Sequence, residues 1–454
     1  MSQGESHEDT SLSLMAVTFG QFLSHDISLS PDTKVTEDCC TQLNATTKDP
    51  NCFEIQVPLD DPFYSTFNKS CFHLTRSVPH SSSSWSSSMN REQENAITSY
   101  LDASLVYGSD TERSKRVRSM KKGKLTVLDE YDLLPEETFQ GCSVPIAGDN
   151  RALESPNLGS IHALFVKEHN RISDELWNKM DWTQFGNSEC DNDECDELLY
   201  QNARRILIAE WQNIIYSEWL PLILGNTRMN DFDLNLDATS SYNNTIDPSS
   251  LVSFSTAAFR FGHSMVSGRL VKKNPTSGIT EEISNLSDNF FDPDEYRGAG
   301  VERLLTGLQF EKAQAMDRFL SKELSNLLFK NTDGPNNALF GQDLLSRNIA
   351  RGRDHGLPGY AQFYASFGPQ TDLNRFMECW NDRPESFDET EWDLLKQIYI
   401  HPKDIDLFVG GLLEKRLSGG GVLGHMFGFV VAEQFRRLKD GDRFFFNQKG
   451  TNTI

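Results

Sequence analysis

From Leu158 to Met180, and again from Asp196 to Leu224, apolar residues return every three or four positions, whereas strand-like alternation is scarce throughout the 454 residues. A period near 3.6 gathers such residues on one stripe of a helix, and that stripe must be buried against another element. The pattern predicts two amphipathic helices joined by a loop that Cys190 and Cys195 bracket. Further helical patterns run over Ser253–Arg269, Gly300–Phe329, Leu339–Asn348, Tyr360–Ser366, Glu389–Tyr399 and Val422–Leu438. No internal repeat and no linker divides two composition regimes. The expectation is a mainly α fold, a single large helical domain over residues 1–454 with few short strands. Residues 33–92 depart from the pattern. They are poor in helical periodicity, rich in Ser, Thr, Asn and Pro, and end in HSSSSWSSSMN, which reads as a disulfide-rich surface excursion.

A net charge of −23 argues against nucleic acid or an anionic membrane surface as partner, because such a surface repels phosphates. No apolar run approaches the length of a membrane span. Cysteine usage points to an oxidising compartment. Cys39, Cys40, Cys52 and Cys71 crowd one loop-rich stretch, a spacing that suits local disulfides better than a metal knuckle, while Cys142 and Cys379 have no sequence-near partner. Sequons at Asn44, Asn68, Asn243 and Asn285 lie in polar segments able to carry glycans. A secreted or extracellular protein is therefore expected, although the opening MSQGESHEDTSLSL has no signal-peptide pattern.

Five stretches carry chemistry. In MAVTFGQFLSHDISLSPD, Gln21 and His25 stand four residues apart and share one helix face, so an imidazole able to exchange a proton lies beside a carboxamide. Asp26 points elsewhere, toward a possible hard cation. In TSYLDAS, oxygen-bearing residues fall at every second position. Thr98, Tyr100 (through its carbonyl), Asp102 and Ser104, together with Asp26, would give six or seven oxygen donors, as Ca²⁺ requires; a polar turn is the plainer alternative. Arg151 and Glu154 are spaced to share one face at the start of a helix. In FRFGHSM, Gly262 lets something bulky approach the backbone next to His263. In NIARGRDHG, Asn348 could hydrogen-bond an imidazole Nδ1, and arginines including Arg351 could pair with carboxylates.

In this order these stretches resemble the animal haem peroxidases, the family of myeloperoxidase, lactoperoxidase, thyroid peroxidase and peroxidasin. GQFLSHD, TSYLDASLVYGS, AGDNRALESP, EHNRI, FRFGHS, RGRDHGLPGY and QFRRLKDGDRF carry the resemblance across nearly the whole chain. It implies a haem b cofactor and a calcium ion. His25 would be the distal base acting on H₂O₂, with Gln21 holding water or halide and Arg151 stabilising developing charge. His263 would bind the iron, oriented by Asn348, and Arg351 would pair a haem propionate. Asp26, Thr98, Tyr100, Asp102 and Ser104 would form the calcium site.

The departures from the family matter too. Ser24 stands where most members have an Asp esterified to the haem, and Ser155 stands where myeloperoxidase has a Met linked to it. At most one ester, through Glu154, is expected, and with it a weaker oxidant that would not oxidise chloride strongly. A family disulfide aligns with Phe367 and Phe429. Relatives extend beyond this chain at both ends, so truncation at both is expected. The expected activity is peroxide reduction with oxidation of bromide, iodide, thiocyanate or phenols, extracellular-matrix tyrosines included. The rival reading is a catalytically silent adhesion or interaction domain. It would be favoured by loss of His25, Arg151 or His263, and all three are present.

Overall fold

The structure, a computed structural model, describes residues 7–43, 47–80, 91–128, 131, 133–139, 142–180, 193–236, 242–330, 339–367, 379–381 and 383–448. Long helices dominate it. Helix Pro156–Lys179 begins with proline at its first turn, where a missing N–H costs nothing, and the Ser155 hydroxyl caps it by accepting from the Leu158 N–H. Helix Asp193–Ile214 packs against it and continues through a π turn, Ile215–Trp219, into Leu220–Asp231. Between the two long helices, residues 181–192, Cys190 among them, lie outside those described; Cys195 is disulfide-bonded.

The strands are few, short and paired two by two, all antiparallel: Glu8–Ser13 with Lys312–Gln314, Ile55–Gln56 with Cys71–Phe72, Glu136–Phe139 with Cys142–Pro145, and Arg269–Lys273 with Thr280–Asn285. The last pair receives helix Gly300–Phe310. A Cβ on Gly307 would lie 1.9 Å from the Val271 carbonyl oxygen, so only glycine permits that approach.

Two expected helices are shorter than their periodicity suggested. The pattern over Ser253–Arg269 resolves into helix Val252–Thr256 and a 3₁₀ run, Ala258–Met265, broken at Ala257. The 3₁₀ form has three residues per turn and stacks Arg260 directly over His263. The pattern over Gly300–Phe329 stops as a helix at Phe310, and Lys312–Gln314 joins the strand at Glu8–Ser13. The helix foreseen at Leu339–Asn348 lies instead at Leu344–Asp354, capped by the Asp343 carboxylate. Those foreseen near 360, 389 and 422 appear at Tyr360–Phe367, Glu389–Ile398 and His425–Asp440.

Helix Leu14–Ile27 runs through the middle of this arrangement. Phe22, Leu23 and Ile27 are fully buried, and Trp211 packs edge-on against Phe22 and Phe165 at centroid distances of 5.3 and 5.4 Å. Trp219 donates its indole N–H to the Ala16 carbonyl at 2.8 Å. These contacts hold the helix in place.

The stretch 33–92 contains the disulfides Cys39–Cys52 and Cys40–Cys71. It is more than a surface excursion. Thr75 and Ser77 are buried, Arg76 Nε donates to Asp354 Oδ1 at 2.7 Å, and the Ser77 N–H donates to Asp354 Oδ2 at 2.8 Å. Its serine-rich end, 81–90, lies outside the described residues, as does Asn44; Asn68, Asn243 and Asn285 are exposed. Phe367 and Phe429, aligned with a family disulfide, stack with centroids 5.9 Å apart.

Candidate active site

The polar face of helix Leu14–Ile27 opens on a cavity of about 470 Å³. Gln21, Ser24 and His25 line it from that helix, Arg151 and Glu154 from the turn before helix Pro156–Lys179. The two latter residues thus precede the helix on which their spacing had placed them. His25 is 5% exposed; its Nδ1 has no hydrogen-bond partner, and its Nε2 lies 3.9 Å from Glu154 Oε2. Gln21 Nε2 donates to the same carboxylate oxygen at 3.1 Å. Arg151 is paired not with Glu154 but with Asp149, whose carboxylate accepts from Nε at 2.9 Å and from Nη2 at 2.7 Å. Arg151 Nη1 also donates to the Ser28 carbonyl at 3.1 Å, so the guanidinium is tied to the end of the His25 helix.

Charge follows burial here. Burial, reinforced by Arg151, pushes His25 well below its ordinary value and keeps the ring neutral at pH 7. Burial pushes Glu154 up to about 7, with Arg151 and the Gln21 bond opposing the rise and Asp149 adding to it. Burial would raise Asp149 also, but the bonds from Arg151 and its charge hold that carboxyl well below the usual range. Asp149 is the residue sequence reasoning missed. Its signal was AGDNR, a carboxylate two positions before the arginine.

His263 faces the same cavity from the other side. Arg260 Nη1 donates to Asn348 Oδ1 at 2.7 Å, which turns the amide nitrogen toward His263 Nδ1 at 2.8 Å. Nδ1 therefore accepts, and Nε2 has no partner among the described residues. Burial and the nearby Arg260 lower His263 to about 3. A Cβ on Gly262 would meet nothing within 4 Å, so open space lies along the backbone there. These features fit a large planar group bound at an imidazole: an unpartnered ring nitrogen, an open glycine and a cavity closed opposite by His25 and Arg151. Arg351 also lines the cavity, but Nη1 donates to Thr75 O, Ser77 Oγ and Asp354 Oδ2 and Nη2 to Asp32 Oδ1 at 2.5 Å. A propionate contact through either terminal nitrogen would have to compete with those acceptors.

Behind the cavity the oxygen cluster forms as spacing suggested. Ser104 Oγ donates to Asp26 Oδ1 at 3.1 Å, and Thr98 Oγ1 lies 2.9 Å from both Asp102 Oδ1 and Ser104 Oγ. Asp26 is fully buried and also accepts from the Trp211 indole at 2.9 Å. Burial and the facing Asp102 raise the Asp26 carboxyl, as expected of two acids sharing a buried site. The Tyr100 side chain is exposed, leaving its carbonyl as the available donor. Among the described residues no three His, Cys, Asp or Glu gather as a metal group, so this cluster depends on hydroxyl and carbonyl oxygens around two carboxylates. Such a hard-oxygen set suits Ca²⁺.

The family model for animal haem peroxidases matches residues 1–454. The chain belongs to that family. Chorion peroxidase of Drosophila melanogaster is 34% identical over 458 residues, covering 95% of this chain and 53% of the relative. Lactoperoxidase of Mesocricetus auratus is 32% identical, covering 98% of this chain and 63% of the relative. This animal haem peroxidase chain thus spans between 53% and 63% of the length of these two curated relatives. Among solved structures, peroxidase A from Dictyostelium discoideum superposes with a TM-score of 0.78 at 26% identity, covering 99% of this chain and 82% of that one. Membership implies haem, and the cavity between His25 and His263 is where the residues fit it. No helix among the described residues is long and apolar enough to cross a membrane.

Proposed function

We propose that the chain is a secreted haem peroxidase that reduces H₂O₂ and oxidises a small anion such as bromide, iodide or thiocyanate, or a phenol, including matrix tyrosines. One observation carries this reading: a neutral His25 and an Arg151 anchored by Asp149 face His263 across a single cavity. Bound haem supplies the redox-active iron. His25 Nε2, free of a close partner, takes the peroxide proton and returns it to the departing oxygen, which requires the ring to be neutral. Arg151 offers fixed positive charge where negative charge develops, and Asp149 prevents its rotation.

His263 Nε2 would be the atom that holds the haem iron. The Asn348 amide, 2.8 Å from Nδ1, would orient the ring so that Nε2 is the nitrogen turned to the cavity. Glu154, which lines the cavity, would be the carboxyl that esterifies the haem, since Ser24 on the facing helix has no carboxyl. Asp26, Thr98, Asp102, Ser104 and the Tyr100 carbonyl would hold Ca²⁺, a cation that would fix the end of the His25 helix. The test is the absorption spectrum of haem- and Ca²⁺-loaded protein before and after stoichiometric H₂O₂, with dye oxidation followed in parallel. A Soret band that shifts with peroxide and supports oxidation is the expected result. A protein that folds without taking haem would overturn the reading.

A further inference from the structure

A second cavity, of about 800 Å³, adjoins the first, and Asp32, Leu74, Phe329 and Arg347 line both. Beyond that shared wall it is basic and aromatic, with Lys34, Lys69 and His73 facing Phe72 and Phe340. On a chain of net charge −23 a local surplus of cations needs an explanation.

The acids of this cavity are already engaged. Asp32 takes Arg351 Nη2, while Asp38 accepts from the Cys40 N–H at 2.7 Å and lies 3.5 Å from His73 Nδ1. The cations are not. Arg347 makes only a long contact, 3.5 Å, to the His73 carbonyl, and among the described residues no carboxylate lies within ion-pair distance of Arg347, Lys34 or Lys69. Burial lowers the Arg347 pKa, with Asp32 opposing and Arg351 adding to the shift, the signature of a desolvated cation short of counter-charge. Lys69 Nζ sits over the rings of Phe72 and Phe340, 5.3 and 5.8 Å from their centroids. Phe329, at the junction, holds a left-handed backbone with φ of 56° and packs edge-on against Phe290 and tilted against Phe291. Bulky residues tolerate that conformation only where the surroundings impose it.

An inorganic anion would have no use for aromatic walls, and a neutral phenol none for unpaired cations. We propose that the outer cavity binds a phenol bearing a carboxylate, its anion held by Arg347 and Lys69 and its ring against Phe329 and Phe340, next to the haem cavity. This rests on the peroxidase reading. Two such phenols each lose one electron and one proton to become phenoxyl radicals, and one H₂O₂ takes up both electrons and both protons to become two waters.

The test is calorimetric titration of resting, haem-loaded protein with 4-hydroxyphenylacetate and with uncharged 4-methylphenol, using wild type, Arg347→Gln and Lys69→Gln. Wild type is expected to prefer the acid by about tenfold, as a charge-assisted contact in a partly desolvated site gives. Arg347→Gln should abolish the preference and Lys69→Gln reduce it by about threefold, both leaving 4-methylphenol affinity and the Soret band unchanged. Equal affinity of wild type for the two ligands would overturn the proposal. So would an Arg347→Gln variant that loses haem or shifts its Soret band, since that arginine would then serve a haem propionate. Titration needs no turnover. A protein that binds the acid preferentially but oxidises no dye would refute the peroxidase reading alone, whereas normal dye oxidation without the preference would refute the outer site alone.

Discussion

The two histidines that face each other across the haem cavity are held in opposite ways. His263 is fastened at Nδ1 by a chain running back through Asn348 to Arg260. His25 has no hydrogen bond at Nδ1 and only a 3.9 Å approach to Glu154 at Nε2. A metal ligand needs one direction and a basicity set from behind, which a hydrogen bond on the remote nitrogen supplies. A proton carrier needs a ring whose reactive nitrogen is not already committed, so its placement comes from packing of its helix. On the His25 side, fixed geometry has been given to Arg151 instead, through Asp149.

Substitution of the two histidines should separate these roles with the largest effects. His263→Ala is expected to lose haem, read as absence of a Soret band. His25→Ala should keep the band while reaction with H₂O₂ slows by roughly 10³-fold or more in stopped flow. If His25→Ala lost haem, the two faces would have to be exchanged. Next comes the anchor: Asp149→Asn removes the charge that fixes Arg151, and a slowing of about 100-fold with haem retained is expected. An unchanged rate would mean that Arg151 is positioned by Ser28 alone.

A smaller effect tests the asymmetry in covalent attachment. With Ser24 on one side and Glu154 on the other, acid extraction under denaturing conditions should leave haem on the wild type and release it from Glu154→Gln. Release from both would remove the ester. The smallest effect concerns protons. Burial lowers His162, beside His25 and edge-on to Phe22, to about 4, and His169 likewise to about 4. A ring kept neutral in the fold binds fewer protons than the same ring unfolded, whose pKa is near 6.5, so stability rises with pH up to that value. It is lost as pH falls from about 6.5 toward 4, by about 1.4 kcal/mol per pH unit for each such ring. His162→Phe should flatten the pH dependence of urea midpoints across that window without altering it above pH 7. An unchanged slope would show that His162 titrates normally.

Much of this site could be read from the chain. The spacing of Gln21 and His25 along one helix face, the alternating oxygens of TSYLDAS and the glycine before His263 each express a local rule, and local rules survive without coordinates. Phe367 and Phe429, far apart in sequence, were paired only by resemblance, and they do stack. The failures share a cause. Periodicity over Ser253–Arg269 suggested a continuous helix, but Arg260 and His263 must both reach Asn348, and a 3₁₀ run aligns residues three apart. The acceptors of Arg351, which resemblance gives to a propionate, are Asp32, Thr75 and Ser77, some 270 to 320 residues away in sequence, where no local pattern shows them. Arg347 carried no signal at all.

The sequence by itself determined the helical class, the family and the identities of the groups able to do acid-base, metal and redox chemistry, because periodicity and motif spacing are properties of neighbouring residues. Only the tertiary structure decided which of those groups are spent and which are free. Whether a charge finds a partner depends on which distant segments burial brings beside it: Asp149 closes on Arg151, Asp32 on Arg351, and Arg347 is left between two cavities with its charge unpaired among the described residues.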